Sequence, residues 1–233
     1  MQIVFVGGGN MATALIGGML RQGFAASEIC VAEPDAAKRG QLQQTFGIAT
    51  LPGVPAGGAF DVVVLAVKPQ QMKAVAQEWS PVAANALVVS IAAGIRTESL
   101  AGWLGGHKRI VRVMPNTPAL VQAGISGLFA DPGVSQSDRD AAQRILAAVG
   151  ETLWVDAEAQ IDAITAISGS GPAYVFYFIE SLTEAGVALG FSTEQARQLA
   201  YATFAGSIKL AQQSDDDAAT LRTKVTSKGG TTE

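Results

Sequence analysis

The chain has 233 residues, more than one average domain, and its 48% hydrophobic content supplies an ample core. Its 16 Lys and Arg stand against 20 Asp and Glu, a net charge of −4 that argues against a nucleic-acid partner. Gly, Pro, Ser or charge interrupts every apolar stretch before membrane-spanning length, and the first residues read as a core strand rather than a signal peptide, so a soluble, cytoplasmic protein is expected. One cysteine, Cys30, excludes an internal disulfide framework, and its strand position reads as structural. One histidine, His107, in the turn-like Gly105-Gly106-His107-Lys108, reads as a solvated loop residue, and without a second His or Cys no soft-metal cluster is expected.

The N-terminus carries the first motif. Ile3-Val4-Phe5-Val6 is an apolar strand that runs into Gly7-x-Gly9-x-x-Ala12 and then the helix-like Thr13-Ala14-Leu15-Ile16. That is a dinucleotide fingerprint in its proper setting: Gly7 for a tight turn, Gly9 for close approach of a pyrophosphate, and small Ala12 for packing of the helix on the strand. The phosphates are then expected on the helix N-terminus, where unpaired N–H groups and the dipole favour negative charge. Alone, such a pattern is weak. A second apolar strand, Ile29-Cys30-Val31-Ala32, strengthens it by ending at Glu33, about 20 residues past Ala12, where a carboxylate accepts from a ribose 2′-OH and repels a 2′-phosphate. Glu33 therefore leans toward NAD, whereas Lys38 and Arg39 on the next helix either turn inward to a phosphate or form a solvated face.

Short apolar strands near residues 3–6, 29–32, 61–67, 86–91, 109–114 and 124–129 alternate with helical stretches, a pattern that predicts a parallel sheet covered on both faces. The carboxyl ends of two of them, at Lys68-Pro69 and at Ala92-Ala93-Gly94, are expected to flank the nicotinamide half of the cofactor. Beyond residue 154 strands cease. A long helical stretch over 157–189, broken or kinked at Ser168-Gly169-Ser170-Gly171-Pro172, precedes helices over 193–213 and about 216–226. Ala173-Tyr174-Val175-Phe176-Tyr177-Phe178 is apolar nearly all round and is expected to be deeply buried, plausibly at a subunit interface. The fold expected is α/β: a Rossmann-type doubly wound, mostly parallel sheet over residues 1–154, then a smaller all-helical domain over 155–233.

At the far end, Val225 to Thr232 set two glycines among hydroxyls, a segment able to seat an anion on turned N–H groups. Three segments then converge. Gly7-Gly8-Gly9-Asn10-Met11-Ala12, Ser168-Gly169-Ser170-Gly171-Pro172-Ala173-Tyr174 and Val225 to Thr232 together resemble pyrroline-5-carboxylate reductase, the last enzyme of proline synthesis. Ala66-Val67-Lys68-Pro69, Ser90-Ile91-Ala92-Ala93-Gly94 and Met114-Pro115-Asn116-Thr117-Pro118-Ala119 resemble that family in the same order, so the likeness covers residues 1–232.

The resemblance implies hydride transfer from NADPH or NADH to the cyclic imine of 1-pyrroline-5-carboxylate, giving L-proline, in a homodimer or higher homo-oligomer with intertwined helical domains. It implies Gly7, Gly8, Gly9, Asn10 and Met11 on the pyrophosphate, Ala66, Val67, Lys68 and Pro69 along the ribose, Ala92 and Ala93 near the nicotinamide, and Asn116 among the cofactor residues, beside Glu33. Ser227, Lys228, Gly229, Gly230 and Thr231 are expected to hold the substrate carboxylate, with Thr232 facing the ring nitrogen as the catalytic group. A protonated C=N needs mostly positioning and a hydroxyl near nitrogen, which suits a chain expected to work without a metal, cysteine or histidine. The family prefers NADPH, against the lean of Glu33, and the choice stays open.

Two departures stand out: Lys228 occupies a usual proline position, and the family continues into helices beyond this sequence's end, as a truncated or partly given sequence would read. Two rival readings carry less. A β-hydroxyacid dehydrogenase or other imine reductase shares the N-terminal domain, but the former is expected to place a catalytic Lys or Asp on the interdomain helix, which here offers Asp162, Glu180 and Glu184 without a lysine. A non-catalytic nucleotide sensor would make the hydroxyl-rich loop dispensable.

Overall fold

The computed structural model describes residues 1–230. Eight strands form one sheet in the order β3-β2-β1-β4-β5-β6-β7-β8. They are β1 (Ile3–Val6), β2 (Ile29–Ala32), β3 (Ala49–Leu51), β4 (Val62–Leu65), β5 (Leu87–Ser90), β6 (Ile110–Met114), β7 (Gly124–Ala130) and β8 (Gly150–Trp154). All pairings are parallel except β6 with β7. The first six strands thus follow the doubly wound order 3-2-1-4-5-6, whose chain reversal lies between β1 and β4.

The sheet is buried on both faces, and the pleat assigns the residues. Ile3, Phe5, Val62 and Val64 face a core shared with Leu15, Ile16 and Met19 of α1 (Asn10–Arg21) and Ile145 and Leu146 of α5 (Gln136–Leu146). Their neighbours Val4, Val6, Val63 and Leu65 face a second core with Met72 and Trp79 of α3 (Pro69–Ala83) and Leu100 of α4 (Thr97–Trp103). This two-sided apolar demand explains the unbroken Val and Ile runs. Between β2 and β3 lies α2 (Ala36–Phe46), started by Asp35, which accepts from the Ala37 and Lys38 N–H groups, and ended by Gly47 at φ 66°.

The central strands lie where the sequence places them; β1 and β2 match the expected bounds, β4, β5 and β6 are shorter, and β7 runs one residue longer. β3 and β8 were not expected. β3 has three partly exposed residues at the sheet edge, and β8, Gly-Glu-Thr-Leu-Trp, alternates intermediate and exposed positions, so neither shows an apolar run.

By contacts the chain divides into two compact units, Met1–Pro172 and a second beginning at Ala173. The first thus also contains α6 (Ala159–Ile164) and the π-helical turn Thr165–Gly169, closed by the Ser170 N–H on the Thr165 carbonyl at 2.8 Å. The interruption expected at Ser168 to Pro172 takes this π form, and α7 (Gly171–Ala188) restarts with Pro172 in its first turn, where no amide donor is needed.

The second unit is helical: the body of α7, α8 (Thr193–Gln213) and α9 (Ala218–Val225). Ser192 and Gln195 form a reciprocal capping box for α8, and Asp217 accepts from the Thr220 N–H to start α9. Gly186 lets α7 approach α8, since a Cβ there would lie 2.8 Å from the Ala196 Cβ. Within the single chain the run after Pro172 is not buried: Phe176, Tyr177 and Phe178 are 61–66% exposed, as a face expected at a subunit interface would be. An apolar face of that size on an isolated chain marks an interaction surface. Among the described residues, no helix is long and apolar enough to cross a membrane.

One ion pair ties β6 to α5. Arg109 donates from Nε and Nη2 to the two Asp138 oxygens at 3.1 and 2.8 Å, and from Nη1 to the Asn85 carbonyl at 2.7 Å. The guanidinium holds the Asp138 carboxyl below the ordinary aspartate range. A carboxyl depressed on folding contributes stability above its unfolded pKa, about 3.9, and that contribution is lost as pH falls through the lower folded value. Asp138→Asn is expected to lower stability by about 1 kcal/mol at neutral pH and to flatten the acid limb of a Tm-versus-pH curve below about pH 4.

Candidate functional site

The site is built on the turn from β1 to α1. Gly7 sits at φ +102°, and a Cβ there would lie 2.8 Å from the Ala66 carbonyl oxygen, so only glycine fits. Gly9 caps α1 in an extended conformation with no side-chain hydrogen bond, and a Cβ added to it would meet nothing within 4 Å. The first turn of α1 therefore presents its N–H groups to open space at the positive end of the helix, a cradle that fits a pyrophosphate. Asn10 is exposed and Met11 half-buried at its rim.

Glu33 is 7% exposed, and both its oxygens are engaged: Oε2 accepts from the Gly8 N–H and Oε1 from the Asp35 N–H, each at 3.0 Å. The carboxylate thus braces the glycine turn from the end of the neighbouring strand while lining the same cavity. Arg39 does not reach into that cavity; its Nη1 donates to the Glu33 and Pro34 carbonyls, both at 2.8 Å. Lys38 does line it. The cavity, of about 460 Å³, runs from Gly7, Gly8 and Gly9 past Glu33, Pro34 and Gly53 to Ala66, Val67 and Lys68. Pro52, Gly53, Gln71 and Trp79 are lining residues that no motif singled out. A glycine-lined end and a carboxylate at the end of β2 fit a dinucleotide's pyrophosphate and adenosine ribose.

The other expected cofactor residues stand at the carboxyl ends of the next strands. Lys68 is the N-cap of α3, with Pro69 at its first position. Beyond β5 the buried Ser90 Oγ accepts from the Ala92 N–H at 3.5 Å, Ala93 is exposed, and Gly94 turns at φ +74°. Asn116 follows β6. It is 9% exposed, its Nδ2 donates to the Ser168 carbonyl at 3.2 Å, and its Oδ1 accepts from the Ile125 N–H at 2.9 Å. These bonds anchor the π-helical turn and β7 to the end of β6.

In the second unit, the Gly230 N–H donates to the Ser227 carbonyl at 2.9 Å, with Gly229 at φ +73°. An i to i+3 bond with a positive-φ glycine third is the type II pattern. Lys228 takes the second place, which in that turn type favours proline. Thr231 and Thr232, expected beside the substrate, lie outside the described residues.

Two single-copy residues sit in less open settings than a sequence conveys. His107 is half-buried, its Nε2 has no hydrogen-bond partner among the described residues, and burial pushes the imidazole below its ordinary value. This corrects the expectation of a solvated histidine. Burial likewise pushes the Cys30 thiol up, as befits a structural residue. Sequence reasoning passed over Arg112, only 1% exposed, whose signal was a lone charge inside Ile-Val-Arg-Val-Met.

Fold and glycine cradle together define a dinucleotide-binding oxidoreductase of the Rossmann class. A family model described as NADP oxidoreductase, coenzyme F420-dependent, matches residues 2–94, and one described as pyrroline-5-carboxylate reductase dimerisation matches residues 158–233. The pyrroline-5-carboxylate reductase of Pseudomonas aeruginosa is 48% identical over all of this chain and 86% of its own length, and that of Haemophilus influenzae 44% over 99% and 86%. Among solved structures, a pyrroline-5-carboxylate reductase from Coxiella burnetii superposes with a TM-score of 0.91 at 41% identity, covering 99% of this chain and 87% of the other. A Plasmodium falciparum pyrroline carboxylate reductase with NADP bound superposes at 0.86 and 30%, covering 100% and 86%. The chain belongs to the pyrroline-5-carboxylate reductase family.

The placement of Glu33 gives a direct test. Glu33→Ser removes a fixed carboxylate from the end of β2, where one is expected to meet a ribose 2′-OH, so the ratio of NADPH to NADH dissociation constants is expected to shift toward NADPH by about tenfold, or roughly 1.4 kcal/mol. Titration of nicotinamide fluorescence against the purified protein measures it, and Tm is expected to fall because the Gly8 and Asp35 N–H groups lose their acceptor.

Proposed function

We propose that the chain reduces the cyclic imine of 1-pyrroline-5-carboxylate to L-proline with NADPH or NADH, as a cytoplasmic homodimer or larger homo-oligomer. The observation that carries this reading is the whole-length likeness to curated pyrroline-5-carboxylate reductases, which spans both the glycine cradle and the Ser227–Gly230 turn. The residue roles are those the resemblance implies, and the chemistry at those places supports them.

The bound nicotinamide supplies the hydride. On the protein's side, Gly7 to Met11 and the N-terminus of α1 hold the pyrophosphate, Glu33 fixes the adenosine ribose, and Ala66 to Pro69 follow the second ribose. The turn at Ala92 and Ala93 bounds the reacting face, with Asn116 holding the base of this edge in place. N–H groups of the Ser227–Gly230 turn receive the substrate carboxylate, with the Lys228 charge at its mouth, and Thr231 is assigned to substrate binding with them. The Thr232 hydroxyl faces the ring nitrogen. When hydride reaches the imine carbon, the electron pair of the C=N π bond moves to nitrogen, which keeps the proton that made the carbon electrophilic. A hydroxyl that orients and shares this proton is all the acid–base chemistry required.

The helical part from residue 155 onward is read as the dimerisation and substrate-binding domain, and the dinucleotide-binding domain as residues 1–154. The exposed aromatic face of α7 supports this assignment, because burying such a face against a second copy removes it from water.

Oxidation of NADPH and NADH by the purified protein, with and without 1-pyrroline-5-carboxylate, tests the function. Turnover dependent on the imine is expected; dinucleotide binding without turnover would overturn the reading. Thr232→Ala is expected to lower kcat by about 100-fold with dinucleotide affinity unchanged, and an unaltered kcat would remove the threonine from the chemistry.

A further inference from the structure

A charge cluster around one buried guanidinium, Arg112 at 1% exposure with Glu158 at 22% and Asp162 at 46%, takes no part in the chemistry described above. Arg112, central in β6, points into the sheet face opposite Val111 and Val113. Its Nη1 donates to Glu158 Oε1 at 3.1 Å and its Nη2 to Asp162 Oδ1 at 2.6 Å, and its Nε has no partner among the described residues. Glu158 stands at the N-cap of α6 yet makes no capping bond to its own helix. Its carboxylate is turned to α4 instead: Oε1 accepts from the Thr97 N–H at 2.7 Å and Oε2 from the Thr97 hydroxyl at 3.3 Å. Arg96, the N-cap of α4, supplies no side-chain cap, so Glu158 caps that helix from across the fold. The Arg96 guanidinium in turn lies 3.8 Å from Asp162. The segment so held runs directly back to Ala92 and Ala93.

Stability is a poor explanation for this arrangement. Desolvating the guanidinium offsets much of the Coulombic gain from its partly exposed partners, and well-packed apolar residues of similar volume often do as well. What a forked, charged cluster supplies that apolar packing does not is a single geometry, because the planar guanidinium fixes both carboxylates and one carboxylate fixes Thr97. We propose that Arg112 is a positioning residue for hydride transfer: through Glu158 it locks Thr97, and with it the Ala92–Arg96 turn that bounds the nicotinamide. This rests on the reductase reading above. A displacement of about 1 Å in a group that sets the donor–acceptor approach is enough to slow a transfer about 100-fold, whereas the pyrophosphate and adenosine are held at β1 and β2, away from the cluster.

Glu158→Gln tests the lock with little change of shape, since it removes the carboxylate charge that orients the guanidinium and leaves a neutral amide oxygen to serve both Arg112 and the Thr97 N–H. Three measurements are expected to separate. Dissociation constants for NADPH and NADH stay within twofold; kcat falls about tenfold with a larger primary isotope effect from 4-deuterated dinucleotide; and amide hydrogen exchange over residues 92–97 quickens about tenfold. Unchanged kcat, isotope effect and exchange would overturn the proposal. The paired replacement Arg112→Met with Glu158→Leu restores apolar packing without the lock: Tm near the wild-type value with kcat still depressed is expected, and recovery of both would reduce Arg112 to a structural role. If that pair does not fold, Glu158→Gln decides alone. If the wild-type protein fails to turn over the imine, the substrate reading fails, while hydrogen exchange and the dissociation constants still decide the lock.

Discussion

The Gly8 N–H donating to the Glu33 carboxylate is the contact on which the nucleotide site depends. A glycine turn lacks side chains to hold itself, and the helix that follows must leave its first N–H groups unpaired if they are to receive phosphate. Some other element has to fix the turn. β2 does so by pairing in parallel with β1 and delivering an acidic residue at the level of the turn. The same carboxylate bonds the start of the next loop through Asp35, so turn, strand end and helix entry form one rigid mouth. Sheet order supplies the remainder: with β4 on the other side of β1, Ala66 backs directly against Gly7.

Much of this was legible in the sequence, for definite reasons. The central strands are buried on both faces, so their Val and Ile runs are continuous; the fingerprint needs glycine at particular φ values; and helix starts at Asp35, Ser192 and Asp217 carry side chains that satisfy amides locally. What was not legible is what depends on partners distant in the chain. β3 and β8 are edge strands whose pairing is set by β2 and β7 rather than by their own composition. Glu33 reads as a ligand for ribose, and its use by two backbone amides emerges only when the β2 turn meets the glycine loop. Arg112 and Glu158 are 46 positions apart, and no local pattern joins them. Asn116 likewise carries its familiar motif yet spends its amide on Ser168 and Ile125.

The second unit obeys a different rule. Its helices are well capped, yet few of their residues are buried in the single chain; α8 buries Ala196 and Ala200, and α7 none. A helix apolar all round is stable in water only when something covers it. Sequence periodicity identifies such a helix without telling whether its cover lies in the same chain or in another, and the exposure found in the single chain leaves that cover to a second copy.

The Ser227–Gly230 turn has an entropic side. Where proline would fix φ at the second position in advance, Lys228 leaves that angle free in the unfolded chain, and Gly229 alone supplies the unusual conformation. The ordering entropy that proline would have removed beforehand is a cost met when the turn closes. The same place carries a positive charge that proline lacks, so the turn gives up preorganisation and gains attraction for anions.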